Sequence, residues 1–369
     1  MIAVEGDATQ LAREAVRALP RYDARCAPDA IDLSDNINLW GAPPASLRAI
    51  GRDHVLACSR YPSLYSEPLR AALLRYVGLQ AAREVSVVTG CGSDDVLDAA
   101  IRAFGDPGDE VAFPAPTFAM IPIFARLNGL VPVAVPLNDE FDVDAERLVD
   151  RGAKITYLCT PNNPTSTALT RETVEYVAAN AAGLVIIDEA YAEFAPDTFA
   201  SLVATHDRLL VTRTFSKAFG LAGLRVGYGV GSEKVADLVT RARGPYKVNA
   251  LAEAAALAAL EVSADAIGWV ERHAALAIEN RARLAAELRQ FGLEALPSAA
   301  NFLFVPTARA PFLAEALSNR GVLVRAISGL PYNPTVLAAA EGHALRIGVG
   351  PWEIMETLLE TLREVFACA

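Results

Sequence analysis

The residues best suited to chemistry are a lysine and an aspartate, each of which follows an apolar run. Lys217 comes soon after residues 209–211, and Asp188 comes directly after residues 184–187. Such runs are typical of buried parallel strands, whose carboxyl ends form the edge where open α/β sheets bind ligands. A lysine that is partly buried beside another cation, here Arg225, becomes an amine nucleophile able to form a Schiff base. The alternative is an ordinary loop lysine whose charge reaches solvent.

Asp188 ends what reads as a fully buried strand, where an unpaired carboxylate is costly. A protonated ring nitrogen of a bound cofactor would satisfy it and would keep that ring cationic. One strand–helix–strand unit separates Asp188 from Lys217. Adjacent strands would therefore present the acid and the amine to two ends of one molecule.

A third feature is a glycine turn that leads into a helix. Residues 85–89 read as a strand, Gly92 as part of a tight turn, and Ser93 as the N-cap of the helix that follows. Backbone N–H groups at a helix N-terminus bind anions, although glycines at such corners often serve packing alone. Asp94 and Asp95 would repel an anion, so nearby cations must outweigh them.

The motif around the lysine resembles a known signature. Residues 214–223 read Thr-Phe-Ser-Lys-Ala-Phe-Gly-Leu-Ala-Gly and precede Leu-Arg-Val-Gly-Tyr. They resemble the pyridoxal 5'-phosphate attachment site of fold-type I aminotransferases of classes I and II, most closely the histidinol-phosphate aminotransferase family. Further motifs in the family's order extend the resemblance from about Ser34 to Gly348. It implies an α/β fold, a mostly parallel sheet flanked by helices, with a smaller α+β C-terminal domain.

The resemblance also implies roles for residues that contact the cofactor ring. Lys217 would carry the cofactor as a Schiff base and then shuttle a proton. Asp188 would keep the pyridine nitrogen protonated. Asn163 and Tyr191 would bind the ring oxygen, and Phe118 would stack on the ring.

The remaining site residues implied by the resemblance bind phosphate or substrate. The residues for the cofactor phosphate are Gly92, Ser93, Asp94, Thr214, Ser216, Arg225 and, from the neighbouring subunit of a homodimer, Tyr61. The residues for the substrate are Asn38, Arg325 and Arg346. An arginine fork matches a carboxylate in bidentate geometry, so Arg346 is assigned to the substrate α-carboxylate and Arg325 to a distal group. Structural ion pairs are the alternative for both.

Three departures from the family pattern leave the activity open. Leu39 and Trp40 stand where the family has proline and tyrosine, and Ser166 stands where it has glycine. The segment 36–38, Asn-Ile-Asn, is similar to the corresponding segment of threonine-phosphate decarboxylases. An aminotransferase acting on an amino acid and a 2-oxo acid is predicted, with a decarboxylase-like lyase as the alternative. A non-catalytic sensor of this fold carries a DNA-binding domain ahead of it, for which the arm 1–33 leaves no room.

Length and composition limit the number of domains and the classes of partner. The chain has 369 residues, 53% of them hydrophobic, which suffices for two domains. We predict an N-terminal arm at 1–33, a large cofactor-binding domain at 34–245, and a connector helix with a small domain at 246–369. The formal net charge of −11 argues against nucleic acid or an anionic membrane as a partner.

Two further expectations concern location and metals. The N-terminal residues include acids where a signal peptide has lysines, and no apolar run reaches about 18 residues, so a cytoplasmic protein is expected. The five cysteines form no CxxC pair and the four histidines are scattered. Neither a disulfide framework nor a metal site is therefore expected.

Overall fold

The structure is a computed structural model that describes residues 8–19, 29–52, 59–262, 265–331 and 334–367. Its strands are β1 Ile31–Asp32, β2 Val85–Gly90, β3 Glu110–Ala115, β4 Val131–Pro136, β5 Ile155–Cys159, β6 Leu184–Asp188, β7 Leu209–Thr214, β8 Gly227–Ser232, β9 Phe302–Pro306, β10 Val322–Leu323, β11 Arg325–Ile327 and β12 Ala344–Gly348. Its α-helices are α1 Ala8–Leu11, α2 Glu14–Arg17, α3 Pro44–Arg52, α4 Glu67–Tyr76, α5 Ser93–Phe104, α6 Met120–Leu127, α7 Ala145–Val149, α8 Arg171–Asn180, α9 Glu233–Arg243, α10 Ala250–Ala259, α11 Ala266–Leu288, α12 Ala310–Ser318, α13 Thr335–Ala339 and α14 Trp352–Ala367.

The main sheet has seven strands in the order β2-β8-β7-β6-β5-β3-β4. Strand β8 runs antiparallel to both of its neighbours, and the other adjacent pairs are parallel. The prediction of a mostly parallel sheet is therefore confirmed. The carboxyl ends of β5, β6 and β7 lie side by side, which places the segments after them along one edge of the sheet.

The apolar runs of β6 and β7 alternate between two cores on opposite faces of the sheet. Val185, Ile187 and Val211 belong to one core, whereas Ile186 and Leu210 belong to the other. Side chains along a strand point to alternate faces, so a strand covered on both faces is apolar at every position. This explains why both runs are continuous in the sequence.

A second, antiparallel sheet has the order β11-β12-β9 and packs with α12 and α14 around its own core. Strand β1 pairs in parallel with β10, and Leu33 belongs to this core. Residues 322–325 do not form one continuous strand: they divide into β10 and β11, which pair with different strands. The proposed three-part division of the chain remains a prediction.

Two features are absent from the described residues. None of the helices in these ranges is long and apolar enough to cross a bilayer. Within the same ranges, no group of three or more histidine, cysteine, aspartate or glutamate side chains is arranged to hold a metal ion.

Candidate active site

Lys217 lies in the loop that follows β7, and its amine reaches across to the N-terminal segment. Its Nζ donates a hydrogen bond to the carbonyl oxygen of Asp35 at 3.0 Å. The same nitrogen lies 5.8 Å from the ring centroid of Tyr191. Burial and the nearby Arg346 guanidinium lower the pKa of Lys217 to about 8. A substantial fraction of the free amine is therefore neutral near physiological pH, as a nucleophile requires.

Asp188 is the last residue of β6 and is only 3% exposed. Its Oδ2 accepts a hydrogen bond from the Tyr157 hydroxyl at 2.9 Å, and its Oδ1 accepts from Thr212 Oγ1 and from the backbone N–H of Ala190, both at 3.2 Å. These three donors are neutral. Burial raises the pKa of Asp188 to about 6 despite them. The carboxyl group is thus suited to a cationic partner.

Arg346 connects the small sheet to the main sheet. Its Nη1 donates to Asn163 Oδ1 at 2.8 Å, and its Nη2 donates to the carbonyl oxygen of Ser34. The side-chain oxygen of Asn163 is occupied in this way. Its amide N–H groups remain the part of the side chain that could donate to a ligand.

The Tyr191 hydroxyl accepts a hydrogen bond from Asn36 Nδ2 at 3.1 Å. Burial raises the pKa of Tyr191 to about 12, so the hydroxyl stays protonated and can donate. Asn36 is 2% exposed and adopts a left-handed conformation with φ of 54°. Its contact with Tyr191 was not predicted.

The predicted anion site forms where α5 begins. The Arg225 Nη1 donates to Ser216 Oγ at 3.3 Å, and Thr214 Oγ1 donates to Ser216 Oγ at 3.0 Å. The prediction that Ser93 is the N-cap was wrong. Gly92 occupies that position with φ of 81°, and Ser93 is the first helical residue. A Cβ on Gly92 would lie 2.6 Å from Arg225 Nη2, so glycine allows the guanidinium to approach the turn.

The two aspartates of the first turn of α5 are balanced by cations. Asp95 Oδ1 forms an ion pair with Lys247 at 2.8 Å, and its Oδ2 accepts from the Cys91 N–H at 3.0 Å. Asp94 Oδ2 lies 3.5 Å from Arg225 Nη2, and burial raises the pKa of Asp94. Lys247 was not predicted. Its only sequence signal is its place after the turn that begins at Gly244.

Ser166 follows the rigid turn that holds Asn163. It adopts φ of 63° and is fully buried. A left-handed serine costs about 1 kcal/mol relative to an unstrained backbone. Its N–H donates to the Asn162 carbonyl at 2.8 Å, and its own carbonyl accepts from Ala299 at 2.8 Å. These bonds hold the strained conformation that glycine would adopt at no steric cost.

One cavity of about 640 Å³ brings most of the predicted residues together. The predicted residues that line it are Ser93, Asp94, Phe118, Asn163, Asp188, Tyr191, Thr214, Ser216, Lys217 and Arg225. Its wall also includes apolar side chains that were not predicted, namely Ile37, Met120 and Phe124.

The predicted substrate residues stand outside this lining. Asn38 Nδ2 donates to the Ala218 carbonyl at 2.8 Å, and its Oδ1 accepts from the Trp40 N–H at 3.0 Å, so both polar atoms bind backbone. The role of Asn38 in substrate binding stays a prediction. Arg325 lies directly opposite Arg346 in the β11–β12 register. Directly opposed residues project from the same face of a sheet, so the two guanidinium groups share a side.

Two aromatic residues, Trp40 and Tyr61, pack against other ring side chains outside the cavity. Trp40, which replaces the family's tyrosine, packs edge-on against His273 with ring centroids 5.9 Å apart. Tyr61 is 83% exposed and stacks on Tyr246 with ring centroids 4.8 Å apart. Neither ring lines the cavity.

The fold and the site together define a fold-type I α/β enzyme in which a lysine amine, a buried carboxyl group and the N-terminus of α5 with Arg225 lie around one cavity. The family model described as aminotransferase class I and II matches residues 28–362. The chain belongs to this family and is an aminotransferase, as the sequence predicted.

Individual relatives agree with this assignment. A histidinol-phosphate aminotransferase from Roseiflexus castenholzii is 40% identical, over 91% of this chain and 89% of the relative. An aromatic amino acid aminotransferase from Cutibacterium acnes is 34% identical, over 85% of this chain and 90% of the relative. The crystal structure of histidinol-phosphate aminotransferase from Sinorhizobium meliloti in complex with pyridoxal-5'-phosphate superimposes with a TM-score of 0.80. It is 26% identical and covers 95% of this chain and 97% of that one.

Proposed function

We propose that this chain is a pyridoxal-phosphate-dependent aminotransferase that moves an amino group from histidinol phosphate, or a closely similar amine, to a 2-oxo acid. The observation that carries this proposal is the placement of Lys217 and Asp188 on one cavity, an amine whose pKa is lowered facing a carboxyl whose pKa is raised. Two of the three relatives named above are histidinol-phosphate aminotransferases, which supports the donor class.

The residues present fit the cofactor. A protonated pyridine nitrogen would supply the cation that the three neutral donors around Asp188 do not supply. The N-terminus of α5, with Arg225 and Ser216 beside it, provides backbone N–H groups and a positive charge for the phosphate. Lys217 provides the amine for the aldehyde.

When bound, the cofactor supplies a cationic ring that withdraws electrons from the amino-bearing carbon of the substrate. Lys217 Nζ then takes and returns the proton of that carbon, since the amine is neutral for part of the time near physiological pH. Arg346 binds the anionic group of the substrate in a bidentate manner, with Arg325 beside it. Asn163 donates to the cofactor oxygen while Arg346 holds its carbonyl.

The working unit in this proposal is a homodimer. Tyr61 is 83% exposed, stacks on Tyr246 and does not line the cavity of its own chain. This exposure is compatible with the role that the family resemblance implies, in which Tyr61 would serve the cofactor phosphate of the partner subunit. The cytoplasmic location expected from the sequence stays a prediction.

A donor panel tests this function. Holoenzyme is incubated with a 2-oxo acid and, separately, histidinol phosphate, an aromatic amino acid and O-phosphothreonine. Appearance of the new amino acid, fastest with histidinol phosphate, is the expected result. Release of carbon dioxide from O-phosphothreonine without amino transfer would instead support the lyase activity that residues 36–38 suggested. A faster reaction with the aromatic amino acid would assign the donor to that class instead, and the reaction would still be amino transfer.

A further inference from the structure

A buried ion pair lies behind the site, on the face of the main sheet opposite the cavity. Arg213 Nε donates to Glu189 Oε2 at 2.9 Å, and Arg213 Nη2 lies 2.7 Å from the same oxygen and donates to Thr198 Oγ1. The side chains are 8% and 1% exposed. Thr198 Oγ1 donates to the same oxygen at 3.0 Å, and the N–H of Phe199 donates to Glu189 Oε1. Both oxygens of the carboxylate are therefore held by fixed donors.

Each member of this pair is the chain neighbour of a residue of the site. Glu189 follows Asp188, and its backbone N–H donates to the Thr212 carbonyl at 2.8 Å. Arg213 stands between Thr212 and Thr214. Because strand side chains alternate, Thr212 and Thr214 face the cavity side while Arg213 faces the other core.

Side-chain contacts thus join the ends of β6 and β7 on both faces of the sheet. On the cavity side Thr212 Oγ1 donates to Asp188 Oδ1 at 3.2 Å, and on the reverse side the ion pair joins the next residue of each strand. A shift of one strand end relative to the other would move Asp188 and Thr214 apart. The ion pair resists such a shift because the Arg213 guanidinium holds Glu189 Oε2 and Thr198 Oγ1 at once, and charge-assisted hydrogen bonds are short and strong.

Stability alone does not require charges here. Replacing a buried ion pair by apolar side chains of similar size is often neutral or stabilising, since the desolvation of two charges is avoided. Apolar side chains would fill the same space, but they would not fix the relative position of the two strand ends through directional hydrogen bonds. We propose that the Glu189–Arg213 pair is a positioning device that sets the placement of Asp188 and Thr214 against the cofactor, an inference that rests on the proposed function.

The decisive variant is the double substitution Glu189→Leu with Arg213→Met, which removes both charges and keeps most of the volume. A matched control makes the same substitutions at the exposed pair on α9, Asp237→Leu with Arg241→Met. Three quantities are measured for each protein: the denaturant midpoint, the affinity of the apoprotein for pyridoxal phosphate, and the pH titration of the bound cofactor's visible absorbance.

The double variant avoids the desolvation of two charges but leaves the Thr198 hydroxyl and the Phe199 N–H without their acceptor, so its denaturant midpoint should fall modestly while the protein stays folded. Its cofactor affinity should fall at least about tenfold and its absorbance titration should shift by at least half a pH unit, because Thr214 and Asp188 are no longer held. Its kcat should fall at least about tenfold with KM changed by less than about threefold, since substrate binding to Arg346 is untouched. The α9 control should match the wild type in all of these.

A well-folded double variant with wild-type affinity, titration and kcat would overturn the inference. If the double variant does not fold, Arg213→Lys decides, because it keeps the charge but loses the planar guanidinium that holds Glu189 and Thr198 together. A partial loss of cofactor affinity with a shifted titration supports positioning, and wild-type behaviour contradicts it. If the wild-type protein itself binds no cofactor, the proposed function fails, which is a different result from an unchanged variant.

Discussion

At the scale of single residues, burial displaces two pKa values in the direction that favours the neutral form. It lowers the pKa of Lys217 to about 8 and raises the pKa of Asp188 to about 6. A neutral amine can attack an aldehyde. A buried carboxyl that is costly to ionise alone becomes favourable to ionise beside a protonated ring nitrogen. Both groups are thus suited to a cationic aromatic aldehyde.

The raised pKa of Asp188 predicts how the free energy of unfolding of the apoprotein depends on pH. Between the ordinary pKa of 3.8 and the folded value of about 6, the folded state holds a proton that the unfolded state has released. The free energy of unfolding should therefore fall by about 3 kcal/mol across this window as pH rises. Asp188→Asn removes this contribution. Urea unfolding from pH 4 to 7 should show the wild-type value falling by that amount relative to the variant.

The holoenzyme provides the control for this measurement. A bound ring cation favours the ionised carboxylate, so the difference between wild type and Asp188→Asn should no longer fall as pH rises. A difference that is independent of pH in the apoprotein would show that Asp188 titrates normally, and the case for a cationic partner would be lost.

Lys217→Ala should abolish turnover and the visible absorbance of the covalently held cofactor, because no other described amine lines the cavity. The measurement is an absorbance spectrum after adding pyridoxal phosphate, followed by borohydride reduction and mass determination. Lys234→Ala, on the exposed face of α9, serves as the control and should retain both signals. Borohydride labelling of the Lys217→Ala protein at wild-type yield would place the reactive amine elsewhere.

How much of the site was predictable depends on where each contact comes from. Lys217 and Asp188 were predicted because each stands in a local motif at a strand end. Tyr157, which binds Asp188, was missed because that contact crosses from β5 to β6 and depends on strand register. Asn36 and Lys247 were missed for the same reason, since their partners are remote in the chain.

At the scale of elements, the start of α5 would decide, in the proposed site, how the cofactor phosphate is held. Gly92→Ala places a Cβ 2.6 Å from Arg225 Nη2 and strains a residue with φ of +81°. The guanidinium must move, so the affinity of the apoprotein for pyridoxal phosphate should fall at least about tenfold. A fluorescence titration of the apoprotein with the cofactor measures this affinity.

Gly108→Ala is the matched control for this prediction. Gly108 also has positive φ, at +97°, but a Cβ there meets nothing within 4 Å. Both variants carry the same kind of backbone strain, and only one displaces Arg225. Equal cofactor affinity in the two variants would mean that Arg225 does not need its observed position to bind the phosphate.

Elements were predictable where one physical signal dominated. Continuous apolar runs located β6 and β7, because strands buried on both faces need apolar residues at every position. The division of 322–325 into β10 and β11 was not visible, since it depends on which partner each half pairs with. Ser93 was misplaced by one residue because residue type alone cannot show that Gly92 takes the cap conformation.

At the scale of the whole molecule, segments far apart in the chain meet at the site. Arg346 of the second sheet reaches both Asn163 and Ser34, and the carbonyl of Asp35 accepts from Lys217. Strand β1 joins β10 only a few residues earlier. The segment after β1 is therefore held between the two sheets and closes one side of the cavity.

In the proposed homodimer, the last contributor to the site would come from a second copy of the chain. Tyr61 projects from the surface, so in a homodimer it would complete the partner's phosphate site while Lys217 serves its own. Tyr61→Ala and Lys217→Ala should each be strongly impaired as pure proteins. Mixing equal amounts after dissociation should restore activity, because a mixed dimer has one site with both residues intact.

Random reassociation makes half of the dimers mixed, with one complete site each, so about a quarter of the wild-type sites should recover. Activity is measured against time after mixing, and size-exclusion chromatography follows the dimer. A mixture of either variant with itself is the control and should stay inactive. Because a tyrosine acting within its own chain cannot be supplied by a partner, recovery would arise only from shared sites. A mixture that forms dimers yet shows no gain would assign Tyr61 to its own subunit or to no site at all.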